Sequence, residues 1–211
     1  MPPAASHPQL RNVPVQARSR RRLAQVLQAG DRVLADEGAA AFTINRVAAA
    51  AGVPVGSVYH YFQDKQALVQ ALALRYWGEL EDLVRGVAET DERDPLPDPA
   101  GAALSALIAG IRNRPGFLAL WFGGLRTEGV RDVTRPTRTA IAASLSRIFA
   151  VHWPDALPGD RDGAARMVVV AGDGLLREAF RNAPDGDPWL LAEGRLMLDA
   201  YVAARLGPAQ R

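Results

Sequence analysis

Apolar residues return at intervals of three and four through most of the chain and never alternate over more than a few positions, so the pattern predicts helices. The first is expected from about Ser19 to Glu37, with Leu23, Val26, Leu27, Val33 and Leu34 on one face and Gly38 as its stop. A short helix follows, with Ile44, Val47, Ala48 and Ala51 turned inward. Gly52 ends it, because a left-handed residue there has no Cβ to clash. Pro54 suits the first turn of a second short helix, where a missing N–H is no loss. Val58 and Phe62 then face inward, leaving Val55, Gly56, Ser57, Tyr59, His60 and Tyr61 on the outer faces. A long helix opens at Asp64, marked by Leu68, Leu72, Tyr76, Leu80, Leu83 and Val87. The charged, proline-rich stretch from Glu89 to Pro99 reads as a loop. Helical patterns resume at about 99–113, 116–125, 134–152, 161–182 and 188–206, the last three separated by Pro154 to Gly163 and Asn182 to Pro188.

This is an all-α chain of about nine helices, with no internal repeat. The punctuation divides it into a disordered tail (1–17), a three-helix module (18–63) and a larger helical body (64–211). An apolar content of 48 %, with four Trp and six Phe, is ample for a packed core. The net charge of +2 says little until it is divided. Residues 1–65 hold eight basic and four acidic side chains, a net of +4, against 17 and 19 in the remainder, a net of −2. A basic N-terminal module on a mildly acidic body fits an electrostatic footprint confined to that module. Cysteine is absent, which excludes disulfides, thiolate metal sites and a Cys nucleophile. No apolar run approaches membrane-spanning length, and the first 17 residues lack the apolar stretch of a signal peptide, so a cytoplasmic protein is expected. Lys65 is the single lysine among 25 basic residues, a bias that reflects GC-rich coding rather than mechanism.

Two short helices joined at a tight glycine turn present the second helix as a chain presents one to the major groove of DNA. The same geometry occurs in helical domains that never touch nucleic acid, and a protein-interaction adaptor is the alternative. Catalysis finds no support. The three histidines, His7, His60 and His152, have no metal-ligand spacing, and no Gly-x-Ser-x-Gly or phosphate-binding glycine loop is present. No metal or cofactor is expected.

The stretch from Thr43 to Leu68 resembles the N-terminal signature of TetR-family transcriptional regulators. It has a Thr43-Ile44 start, the Ala51-Gly52-Val53 turn, Gly56-Ser57-x-Tyr59-x-Tyr61-Phe62, then Lys65-x-x-Leu68. The resemblance implies a homodimeric, ligand-responsive repressor bound to a pseudo-palindromic double-stranded operator. It implies that Thr43 caps its helix near a phosphate, that Tyr59 and Tyr61 hold phosphates, and that Lys65 meets one at a helix start. Val55, Gly56, Ser57 and His60 become candidates for base edges. Pro54 stands where many relatives have Ser, which removes a hydroxyl cap. Arg18 and Arg20, in the run Arg18, Arg20, Arg21, Arg22, could form an arm on the DNA, although clustered arginines at a helix start are also simply solvated. Gly172, Gly174 and Leu175 on the penultimate helix, with Gly194, Leu198 and Tyr201 on the last, are expected at the dimer interface; close packing within one subunit is the other account of these glycines. A small, mostly hydrophobic effector is implied in the body, with Trp77, Phe117, Trp121, Phe122, Met167 and Asp173 as candidate contacts.

Overall fold

The computed structural model describes residues 17–208, so all of the expected tail except Ala17 lies outside the described residues. Nine helices account for the described secondary structure: α1 Ala17–Ala41, α2 Ile44–Ala51, α3 Val55–Tyr61, α4 Lys65–Arg93, α5 Pro99–Arg112, α6 Pro115–Phe122, α7 Glu128–His152, α8 Pro158–Phe180 and α9 Pro188–Leu206. The chain divides into two compact units. One comprises residues up to Tyr76 together with Arg114–Thr134, the other Trp77–Asn113 together with Arg135 onward. This partition cuts across the division at residue 63 that the sequence suggests, because α6 and the start of α7 return to the N-terminal helices.

In the first unit, α1 carries the expected inward face of Leu23, Val26, Leu27, Val33 and Leu34. Gly38 takes φ 78, ψ 178, which interrupts the helix where the sequence places its stop, and one more turn follows to Ala41. Phe42, fully buried, then anchors the chain before α2. Leu68, Leu72 and Tyr76 of α4 are buried in the same unit, as are Phe117, Leu120 and Trp121 of α6. Phe117 lies edge-on to Tyr76 at 5.6 Å and tilted against Trp121 at 4.8 Å. The Tyr76 hydroxyl donates to Asp31 Oδ1 at 2.6 Å. Burial, then that hydrogen bond and the Asp31 charge, push the Tyr76 phenol far above its ordinary range. The Trp121 indole N–H is buried with no acceptor.

In the second unit the core gathers Val84 and Ala88 of α4, Ile141, Leu145, Ile148 and Phe149 of α7, Ala164 and Ala165 of α8 and Val202 of α9. Three sequence expectations are corrected here. Leu83 is exposed rather than inward; beyond Leu80 the buried stripe steps by four to Val84 and Ala88. The Glu89–Pro99 loop begins only after Arg93. The added helical turn holds Asp91, which is fully buried, bonds His152 Nε2 at 3.0 Å and accepts the Leu96 N–H at 2.8 Å. Finally, α7 starts at Glu128, not 134, and carries Pro136 inside it. Proline there removes one backbone donor yet leaves the helix continuous.

Asp98 caps α5 by accepting the Gly101 N–H at 2.9 Å and also takes the Arg195 guanidinium of α9 at 2.6 Å. The Arg195 hydrogen bond, opposed by partial burial and aided by Gly101, holds the Asp98 carboxyl below the usual carboxylate range. A depressed folded pKa means that the stabilisation is present at neutral pH. It is lost as pH falls below about 4, where the unfolded carboxyl titrates. Asp98→Asn keeps a competent cap but not the charge, so its urea midpoint should fall less than the wild type's between pH 6 and pH 3. Equal acid sensitivity in the two would remove Asp98 from the account.

Candidate nucleic-acid interface

The turn between α2 and α3 is built from backbone hydrogen bonds that its sequence permits. The Thr43 hydroxyl accepts the Arg46 N–H at 3.1 Å and so caps α2. At the other end Gly52 adopts φ 64, ψ 33, and the N–H groups of Gly52 and Val53 return to Ala49 and Ala48 carbonyls, each at 3.1 Å. Gln25 and Arg32 of α1 donate to the last α2 carbonyls, Ala51 at 2.8 Å and Ala50 at 3.3 Å, which fixes α2 against α1. Arg46 pairs with Glu37 at 2.6 Å. Pro54 stands at the N-cap of α3 rather than inside its first turn and offers no side-chain cap, and Ser57 N–H closes that turn on Pro54 O at 2.8 Å.

On this short helix Val58 is fully buried, with Phe62 just beyond it. Val55, Gly56, Tyr59 and His60 are exposed, and Ser57 is half-buried. Tyr61 departs from expectation: it is only 3 % exposed. Three residues beyond Val58 it shares the inward face. That hydroxyl donates to the Ser19 carbonyl at 3.1 Å and lies 2.9 Å from Ser19 Oγ. Its ring is edge-on to His60 at 5.0 Å. Tyr61 therefore ties α3 to the first turn of α1 instead of standing on the outer face.

A groove of about 390 Å³ opens between these helices, with Arg18, Ser19 and Arg22 from α1 and Gly56, Ser57, His60 and Tyr61 from α3 along its walls. Arg18 lines it, whereas Arg20 does not. Arg22, which the sequence places in the arginine run without singling it out, does. The signal was available: positions four apart share a helix face, whereas positions two apart do not. Lys65 is the first residue of α4, and Asp64 caps that helix through the Ala67 N–H at 2.8 Å. The Lys65 Nζ lies 5.9 Å from the Phe42 ring centroid.

The other candidate residues separate by unit. Phe117, Trp121 and Phe122 belong to the first, with Trp121 and Phe122 rings 5.8 Å apart. Trp77, Met167 and Asp173 belong to the second. There Trp77 packs on the core under the Arg138 guanidinium, at 5.2 Å. Asp173 is buried and ion-paired with Arg138 at 3.1 Å and Arg177 at 3.2 Å, and Met167 is half exposed. On α8, positions 172 and 174 face open space, whereas a Cβ on Gly194 would meet Leu175 at 3.2 Å. The closeness at Gly194 is thus between α8 and α9 of one chain. Tyr201 packs on the core of its own unit. Met167, Val170, Trp189, Leu196 and Met197 are large apolar side chains left exposed on the same two helices. Among the described residues no group of His, Asp or Glu is arranged to hold a metal, and no helix is long and apolar enough to cross a membrane.

Residues 26–72 match the family model of bacterial regulatory proteins of the tetR family, and residues 94–206 match the tetracyclin repressor-like C-terminal domain. The HTH-type transcriptional regulator TtgR of Pseudomonas putida is 34% identical over 199 residues, 89% of this chain and 93% of that one. Among solved structures, a TetR-family transcriptional regulator from Streptomyces coelicolor superposes with a TM-score of 0.65 at 28% identity, covering 88% of this chain and 99% of its own. The multidrug binding protein EbrR, complexed with imidazole, gives 0.60 at 26% identity over 86% and 94%.

Proposed function

The chain belongs to the tetR family of bacterial regulatory proteins, and from that premise we propose that it is a cytoplasmic, homodimeric repressor which binds a pseudo-palindromic operator and releases it on binding a small, mostly apolar effector. The observation that carries the reading is the capped α2–turn–α3 motif, with Gly56, Ser57 and His60 open on one side and Lys65 at the next helix start. In this reading Val55, Gly56, Ser57 and His60 meet base edges, while Thr43, Tyr59 and Lys65 hold the backbone. The exposed apolar residues of α8 and α9, beside the open positions Gly172 and Gly174, support a second copy packed on these helices. The buried Trp121 indole N–H, a donor lacking an acceptor, suits an effector that brings one. The EbrR complex supports small-molecule binding by a chain of this fold.

The test is titration of labelled DNA from upstream of the protein's own gene, beside a scrambled duplex, at two salt concentrations. Tight, salt-sensitive binding to the native fragment alone is expected; equal, weak binding to both fragments and to operators sought genome-wide would overturn the reading. Within it, Lys65→Ala should weaken all duplexes alike and flatten the log–log salt dependence by about 0.9 for the phosphate lost. His60→Ala should instead relax the preference for the native fragment, by about 1–3 kcal/mol if it reads a base edge.

A further inference from the structure

We propose that Arg22 and Arg18 together grip one DNA phosphodiester in the groove between α1 and α3, and that the Tyr61–Ser19 hydrogen-bond pair positions them to do so. The inference rests on the DNA-binding reading and adds a contact outside the helix-turn-helix itself. Arg22 is rotated only about 40° from Arg18 around the helix axis, whereas Arg20 is about 160° away, at roughly 100° per residue. That difference explains why the groove takes Arg18 and Arg22 and leaves Arg20 out. Both guanidiniums are exposed, and no described carboxylate forms an ion pair with either. No acidic side chain lines the groove, so its charge is uncompensated. The opposite wall offers the Ser57 hydroxyl and the bare backbone of Gly56, where even a Cβ would touch nothing within 4 Å. A phosphodiester with two non-bridging oxygens suits a guanidinium fork, and the groove lies on the same α3 that is proposed to enter DNA.

Such a grip needs the first turn of α1 held still, since a helix start frays when nothing ties it down. Tyr61 supplies the tie. Its phenol donates to the Ser19 carbonyl, and the Ser19 hydroxyl is close enough to donate back to the phenol oxygen. Ser19 sits between the two arginines in sequence, so this one pair sets where both guanidiniums stand relative to α3. Tyr61 is thus a positioning residue, buried on its own helix and acting through α1.

The experiment uses the full chain and an operator duplex selected from random-sequence DNA. Arg22→Ala should lower affinity about ten- to a hundredfold, as for a charge-assisted hydrogen bond, and flatten the salt slope by about 0.9. Arg20→Ala should leave the slope unchanged. Tyr61→Phe and the milder Ser19→Ala should each weaken binding, and Arg22→Ala should cost less on either background than on the wild type. Calorimetry with inorganic phosphate alone should show no saturable site. An unchanged slope for Arg22→Ala, or an equal loss for Arg20→Ala, would overturn the grip; strict additivity with Tyr61→Phe and Ser19→Ala would overturn the tie. Saturable phosphate binding lost in Arg22→Ala would make the groove a small-anion site instead. If selection from random DNA enriches nothing, the DNA-binding reading itself fails, an outcome distinct from wild-type binding that ignores Arg22.

Discussion

Phe42→Ala should destabilise the N-terminal unit by about 3–5 kcal/mol, the usual range for emptying a buried aromatic site, and abolish DNA binding with it. Phe42 is wholly buried and joins α1 to α2. A Cβ on Gly30 would lie 3.5 Å from its ring, in ordinary van der Waals contact, so α1 passes close beside it. The Lys65 ammonium stands over the ring, 5.9 Å from its centroid, which brings the start of α4 to the same residue. Removing the ring leaves a hole beside α1 and the start of α4 that the surroundings can fill only in part. Urea unfolding followed by circular dichroism checks the figure, with Phe42→Leu as the partial refill that should recover most of the loss. A midpoint within error of the wild type would show that the site is not the keystone its burial makes it.

Gly116→Ala should have the second largest effect, about 1–3 kcal/mol or more, because the new methyl has nowhere to go. A Cβ there would lie 2.6 Å from the Tyr76 hydroxyl and 2.9 Å from the Asp31 carbonyl oxygen, and would also meet Asp31 Oδ1. The side-chain atoms can turn away, but only by breaking the Tyr76–Asp31 hydrogen bond; the backbone oxygen of α1 cannot. The comparison is Gly86→Ala, on an open stretch of α4 where a Cβ touches nothing within 4 Å. That change should stabilise by up to about 1 kcal/mol through helix propensity alone. Opposite shifts in thermal midpoint are expected; two stabilising changes would mean that α6 is free to slide on α1.

The turn at Gly52, the cap at Thr43 and the bounds of α5 and α9 were legible because each depends on residues within a few positions. What escaped depends on partners distant in sequence. Tyr61 looked like an outward aromatic because its hydroxyl finds Ser19 only after α1 folds back. The helical turn from Glu89 to Arg93 looked like loop because its charges do, yet Asp91 is buried against His152 from α7. That α6 lays Phe117 edge-on against Tyr76 of α4 was hidden in the same way, since the two stand far apart in the chain. Periodicity registers which face of a helix is apolar, but not which other helix will cover it.

The placement of Trp121 has a practical side. The chain's other tryptophans, Trp77, Trp153 and Trp189, all fall in the second unit, and Trp121 alone falls in the first. Its indole is nearly dry, whereas Trp189 is 67 % exposed. The first unit thus carries a single tryptophan in an apolar setting, spectrally separable from one that faces water. A chain stripped of the other three would give its tryptophan emission from the first unit alone, an optical gauge of that unit needing no attached dye.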